Sequence, residues 1–315
     1  MDLYNTFLRK NWKPNWFLHP KPEDALLEMV LIEPRNHENI PYVLANVSYM
    51  IPYAAITIIH SKSNEKLVTS VIPEGTNIRA LCILPDNLTL AMYSKLLMTP
   101  DFWSKLVSPK ILIFQTDTGI RNNNILDFLH VDYIGAPWTI NWGEDSQQCY
   151  VGNGGFSLRN REAMINLSKN REALFFTGPE DIYFARELAK QNKYVTAPMH
   201  LAIRFSTESI YYQDSFGFHK PWEAHPRNLL QKLFDIDICL NDVAKIEKIE
   251  ISDIHNHIIN IDETSYQILY QWVSLGINGK GIQISNSAIL PIQLPRPIHI
   301  TITLNTSKQH DIYYN

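Results

Sequence analysis

Glycine is scarce in this sequence, with only twelve among 315 residues, so any cluster of glycines needs a physical reason. Cysteine is scarcer. Cys82, Cys149 and Cys239 stand far apart, which excludes a disulfide framework and a metal knuckle and favours a reducing compartment. No sign of charge dominates: the net charge of -4 offers no basic surface for nucleic acid. A long uninterrupted apolar run is also missing. The most apolar window, Ile40–His60, is broken by Pro41, Asn46, Ser48 and Pro52, so it predicts helix, turn and strand rather than a membrane span. The opening MDLYNTFLRKNWKPNW has no apolar signal core, and the expectation is a cytoplasmic protein with no integral membrane segment.

What is present fits a folded protein. Hydrophobic residues make up 45% and charged residues 19%, enough for one large domain or a medium domain with a small module. LEMVLIEP (27–34) and KILIFQ (110–115) read as buried strands, and AAITIIH (54–60) and the region 78–84 as strands. Helical spacing occupies 38–50 and 88–97. Strands alternating with helices predict an α/β fold, a mostly parallel sheet with helices on both faces. Ligands of such sheets bind beyond the carboxyl ends of the strands. Those ends are polar here: Glu33-Pro34-Arg35, His60-Ser61 and Gln115-Thr116-Asp117.

The texture changes near residue 245. Residues 246–261 largely alternate apolar and polar, and 266–273 (YQILYQWV) and 298–304 also read as strands. Turns are expected at Gly276, at Asn278-Gly279-Lys280-Gly281 and at Pro295-Arg296-Pro297. The expected organisation is a domain over 1–245 and a β-rich module over 246–315.

Five stretches could carry chemistry. Asp117 follows a buried strand, where it can hold a hard cation or simply form a turn. In YIGAPW (133–138), Trp138 either stacks on a sugar or base or fills the core. CYVGNGGFSLR sets Gly152, Gly154 and Gly155 around Asn153. The glycines let backbone approach another group closely, and the amide both donates and accepts, which suggests a pocket wall. In GPEDIYFARELAK (178–190), Glu180 and Asp181 open a helix, as catalytic carboxylates or as ordinary acidic residues at a helix start. FGFHKPW (216–222) places His219 among aromatics and beside Lys220. His255-Asn256-His257 brings two imidazoles together but shows no further ligands.

Taken in order, FQTD, DYIGAPW, VGNGGFSLR, PED and GFHKPW resemble a widespread domain-of-unknown-function family of glycosyltransferase type. That family belongs to the GT-A class, which uses nucleotide sugars on a Rossmann-like sheet. The resemblance spans roughly residues 25–225, and the layout from GGFSL to GPED is distantly similar to β-1,4-galactosyltransferases. It implies that Asp117 is the last acid of an Asp-X-Asp metal motif, with Gln115 replacing the first, and that His219 completes a Mn²⁺ or Mg²⁺ site. It implies that Asp181, with Glu180 beside it, is the base of an inverting reaction. Arg35, His60, Gln115, Trp138, Asn153, Gly154, Gly155 and Lys220 become candidate contacts to donor or acceptor. The implied donor is a nucleoside diphosphate sugar such as a UDP-sugar, and the acceptor a glycan or protein. Two other functions stay open: a sugar nucleotidyltransferase, although IEPRNHEN lacks a basic Gly-rich loop, and a glycan-binding protein without catalysis.

Overall fold

The computed structural model describes residues 2–14, 24–144, 148–236, 244–278, 281–285, 288–306 and 308–314. Cys239 and the turn residues Gly279 and Lys280 lie outside the described residues.

Strands β1 (Leu27–Ile32), β2 (Ala55–His60), β3 (Arg79–Cys82) and β4 (Lys110–Phe114) are followed by a short β5 (Thr118–Ile120). Next come β6 (Tyr133–Gly135) and β7 (Ser157–Asn160). Six of these form one sheet in the order β3-β2-β1-β4-β7-β6. The first four are parallel, while β7 runs antiparallel to both β4 and β6.

The sheet is apolar on both sides, as a parallel sheet under two helical layers must be. Leu27, Met29 and Leu31 face one core, while Val30 and Ile32 face the other. The first core receives α1 (Asp2–Asn11), α2 (Ile40–Met50), α3 (Glu65–Val71), α9 (Met199–Phe205), α10 (Arg227–Leu233) and α11 (Glu263–Leu275). The second receives α4 (Leu90–Leu97), α5 (Pro100–Ser104), α6 (Arg161–Ser168), α7 (Arg171–Phe175) and α8 (Glu180–Ala189). The α/β architecture expected from the sequence is therefore the one observed. Ile40–His60 resolves into α2 and β2, and among the described residues no helix is long and apolar enough to cross a membrane.

Two short strands, β8 (Ser206–Thr207) and β9 (Gly217–His219), join β5 in a separate three-stranded sheet. Toward the C-terminus, β10 (Ile246–Asp253), β13 (Ile298–Leu304) and β14 (Gln309–Tyr314) make an antiparallel sheet. Between them β11 (Ile277–Asn278) pairs with β12 (Gly281–Ile282).

One expected strand is a helix. Residues 266–273 lie inside α11, whose start is capped by Asp262 accepting from the Ser265 N–H at 2.9 Å. Its buried face is Leu269, Trp272 and Val273, spaced three and four apart as a helix requires. Trp272 belongs to the same apolar core as Leu27, and the Asn123 amide donates to the Gly276 carbonyl at 2.8 Å.

Candidate active site

A cleft lies at the carboxyl ends of β1 and β4. Because β7 is antiparallel, the residues leading into it, 152–156, arrive at the same end. The cleft has three lobes of about 440, 350 and 330 Å³, and Lys220 lines all three. Asp181 is shared by the first two lobes and Gln115 by the second and third.

Asp117 and His219 are 102 positions apart in sequence, and strand register brings them together. β5 pairs with β9 so that Thr118 lies opposite His219. Asp117 Oδ1 then sits 3.5 Å from His219 Nε2. Both atoms are buried, and neither has a hydrogen-bond partner. Lys220 holds a left-handed backbone (φ 43°), its N–H donates to the Asp117 carbonyl at 3.2 Å, and its Nζ lies 3.5 Å from Asp117 Oδ2. Burial pushes the Asp117 carboxyl up, but His219 and then Lys220 outweigh it, and the pKa ends below its ordinary value. Burial likewise opposes charge on His219, yet Asp117 and Glu208 raise its pKa to about 9.

The other imidazole nitrogen is crowded. His219 Nδ1 is 2.7 Å from Glu208 Oε1 and 3.1 Å from Asn153 Nδ2. Asn153 Oδ1 accepts from the N–H groups of Gly155 at 2.7 Å and Phe156 at 2.9 Å, so its Nδ2 is the side turned to the ring. Nδ1 therefore either donates to Glu208 or accepts from Asn153, and cannot do both. The Asn153 backbone is itself held in a sparsely populated conformation (φ 149°).

The donor set fits a hard divalent cation. Two ligand atoms 3.5 Å apart can share an ion held at about 2.0–2.1 Å from each. A carboxylate behind the second ring nitrogen, as Glu208 provides, is the usual support of a metal-bound histidine. Among the described residues no group of three or more His, Cys, Asp or Glu side chains could hold a metal, so Asp117 and His219 would act as a pair. Gln115 lines the second and third lobes beside them.

Glu180 and Asp181 are neighbours in sequence but differ in surroundings. Glu180 is buried and ion-paired to the fully buried Arg159 at 3.0 Å, with the Ser94 hydroxyl at 3.3 Å. Arg159 lies over the rings of Trp103, Tyr133 and Phe184. Asp181 is half-buried and lines the cleft. Its Oδ2 accepts from the Gly154 N–H at 3.0 Å and its Oδ1 from the Ile182 N–H at 2.9 Å. Burial, then the Glu180 charge, push its pKa up to about 7.

The glycine cluster has an internal use. A Cβ on Gly155 would lie 2.3 Å from His219 Nε2, and one on Gly154 would lie 2.7 Å from Glu180 Oε1. At Gly152 it would meet the Trp138 ring at 2.1 Å. The absent side chains thus admit three of the protein's own, while Gly154 and Gly155 also line the second lobe.

The remaining candidates separate. Trp138, edge-on to Trp142 at 6.3 Å, lines the first lobe. Arg35 lines the third and forms a two-pronged pair with Glu33 at 2.7 and 2.8 Å. His60 is buried at the end of β2 with Nδ1 2.9 Å from the Ser61 carbonyl, and lines none of the three lobes. Glu208, Tyr93 and Arg159 were not expected from sequence. Tyr93 lines two lobes and donates to the Gly154 carbonyl at 2.9 Å.

Several solved structures show remote likeness. The glycosyltransferase GlyE of Streptococcus pneumoniae aligns at 12% identity over 69% of this chain and 61% of its own, with a TM-score of 0.41. The 4-diphosphocytidyl-2C-methyl-D-erythritol synthase of Anaerococcus prevotii aligns at 12% over 53% of this chain and 97% of its own, TM-score 0.33. S. aureus TarS, in complex with UDP, aligns at 8% over 50% of this chain and 53% of its own, TM-score 0.33. The expected likeness to β-1,4-galactosyltransferases is not represented among these three. No curated protein matches the chain. Residues 83–219, a span from just past β3 to His219, match the family model described as a protein of unknown function, DUF5672.

Proposed function

We propose that this protein transfers a glycosyl group from a nucleoside diphosphate sugar, such as a UDP-sugar, to a hydroxyl of a glycan or protein acceptor, with inversion at the anomeric carbon. The observation that carries this is the pairing of two buried candidate ligand atoms, Asp117 Oδ1 and His219 Nε2, with no hydrogen bond beyond their mutual 3.5 Å contact, in one cleft with Asp181. In this reading Asp117 and His219 hold Mn²⁺ or Mg²⁺. A bound cation would supply positive charge against the departing diphosphate.

The chain's own groups do the rest. Lys220 Nζ adds fixed positive charge where its ammonium borders all three lobes. The acceptor oxygen bonds to the anomeric carbon while the bond from that carbon to the diphosphate oxygen breaks, and the electron pair leaves with the diphosphate. The acceptor proton passes to the Asp181 carboxylate, whose pKa of about 7 suits a base at neutral pH. Glu180 is committed to Arg159 and serves as support.

A panel of nucleotide sugars, assayed for hydrolysis and binding with Mn²⁺, Mg²⁺ or EDTA, tests this reading. One donor should bind and hydrolyse far better with cation. Equal binding in EDTA would remove the metal assignment. Binding of glycans with no response to any nucleotide sugar would favour the glycan-binding alternative, which Gln115 in the first metal position also suits.

A further inference from the structure

Nothing in the proposed reaction uses the N-terminal helix, yet one of its side chains reaches the heart of the site. Tyr4 of α1 is fully buried. Its hydroxyl donates toward two backbone carbonyls, Thr116 O at 3.0 Å and Thr118 O at 2.8 Å. These are the carbonyls on either side of Asp117. The ring packs on the other half of the pair: Trp222 at 4.7 Å and Phe218 at 6.0 Å between ring centres, on either side of His219 and Lys220. A second link from the same helix reinforces the turn. Asn39 Nδ2 bridges Asn5 Oδ1 at 3.1 Å and the Thr116 carbonyl at 3.3 Å.

Ordinary core packing does not require this hydroxyl. A phenylalanine would fill the aromatic cluster of Phe7, Phe218, Trp222 and Phe234 equally well. The phenol adds a donor shared between two carbonyls, of which Thr116 also accepts from Asn39.

We propose that Tyr4 is a positioning residue: its hydroxyl fixes the turn that carries Asp117, and its ring fixes the strand that carries His219, so that α1 sets the separation of the two ligand atoms. This rests on the metal reading for its functional meaning, although the positioning itself does not depend on a metal. A helix more than a hundred residues upstream in sequence is thus part of the site's frame.

The test uses the full chain carrying Tyr4→Phe, with Leu8→Ala as a control that weakens the packing of α1 but keeps the hydroxyl. Metal-free hydrogen exchange is followed at residues 114–121 and 216–222, and Mn²⁺ binding is titrated with UDP present. Tyr4→Phe should speed exchange at 114–121, leave 216–222, whose packing on the ring is kept, little changed, and weaken Mn²⁺ by about 10–100-fold, as loss of a support behind a ligand does. Leu8→Ala should lower the melting temperature at least as much, with neither effect confined to those segments. Unchanged exchange at 114–121 in Tyr4→Phe overturns the proposal, as does an equal local effect in Leu8→Ala. Faster exchange in a protein whose wild type binds no Mn²⁺ would uphold the positioning and sink the metal site instead.

Discussion

Glu28, at the amino end of β1, and Asp117, just past the carboxyl end of β4, both set a carboxylate against the central sheet. Glu28 is fully buried and answered on every side. It accepts from the Thr57 hydroxyl, from Arg79 at 3.2 Å, and from the N–H groups of Val107 at 2.7 Å and Ser108 at 3.2 Å. At the other end, Asp117 Oδ1 and His219 Nε2 have only their mutual 3.5 Å ion-pair contact. Unpaired buried polar atoms are costly, and a bound ligand is one way to answer them. The Glu28 carboxylate is finished by the chain itself, whereas Asp117 Oδ1 and His219 Nε2 are among the buried polar atoms that are not.

The strongest way to break this contrast is at Asp181. Asp181→Asn retains the size and can still accept the Gly154 N–H, but it cannot take up a proton. Transfer should fall by about 10²–10⁴-fold, with donor affinity nearly unchanged and the melting temperature not lowered. In the wild type, kcat/KM should rise with pH through about 7, where this carboxyl ionises. Near-normal transfer by the folded variant would rule it out as the base.

Next come the two supporting glutamates. Glu180→Gln leaves Arg159 buried without its carboxylate and should cost about 3–5 kcal/mol in denaturant unfolding. Glu28→Gln should cost less, about 1–3 kcal/mol, because an amide oxygen still accepts from Val107 and Ser108. It should leave nucleotide and Mn²⁺ binding untouched, since it sits at the finished end. A change in binding there would erase the distinction between the two ends.

The remaining effect concerns pH. The Asp181 pKa is raised on folding, so its contribution is fully present below the unfolded value near 4 and is lost as pH rises through about 7. Across that window it should lower stability by at most about 1.4 kcal/mol per pH unit. Melting curves of wild type and Asp181→Asn at pH 5 and pH 8 should show a shallower fall in the variant. Parallel curves would mean that the carboxyl titrates normally.

β1, β2 and β4 were legible because parallel strands buried on both faces become short apolar runs, while the antiparallel β7 and the edge strand β6 were not read as strands. α11 was misread because Tyr266, Ile268, Leu269, Tyr270, Trp272 and Val273 are mostly good strand formers. The cap at Asp262 and the buried spacing of Leu269, Trp272 and Val273 were the overlooked signals. At the site, the order of motifs led to Asp117, Asp181 and His219. Their distances could not be read, since the pairing of β5 with β9 is a matter of register rather than spacing. Glu208 and Tyr4 gave no sequence signal at all: each matters only through what the fold lays beside it.

The three glycines around Asn153 have a consequence for how this protein can change over generations. Each gives room to a side chain from a different part of the chain: Trp138, Glu180 and His219. A single replacement in this loop would displace the aromatic wall, the buried ion pair or the candidate metal ligand. Variation in what the cleft accepts has more room at the surrounding lobes, at residues such as Leu90, Ser209 and Glu223, than at Gly152, Gly154 or Gly155.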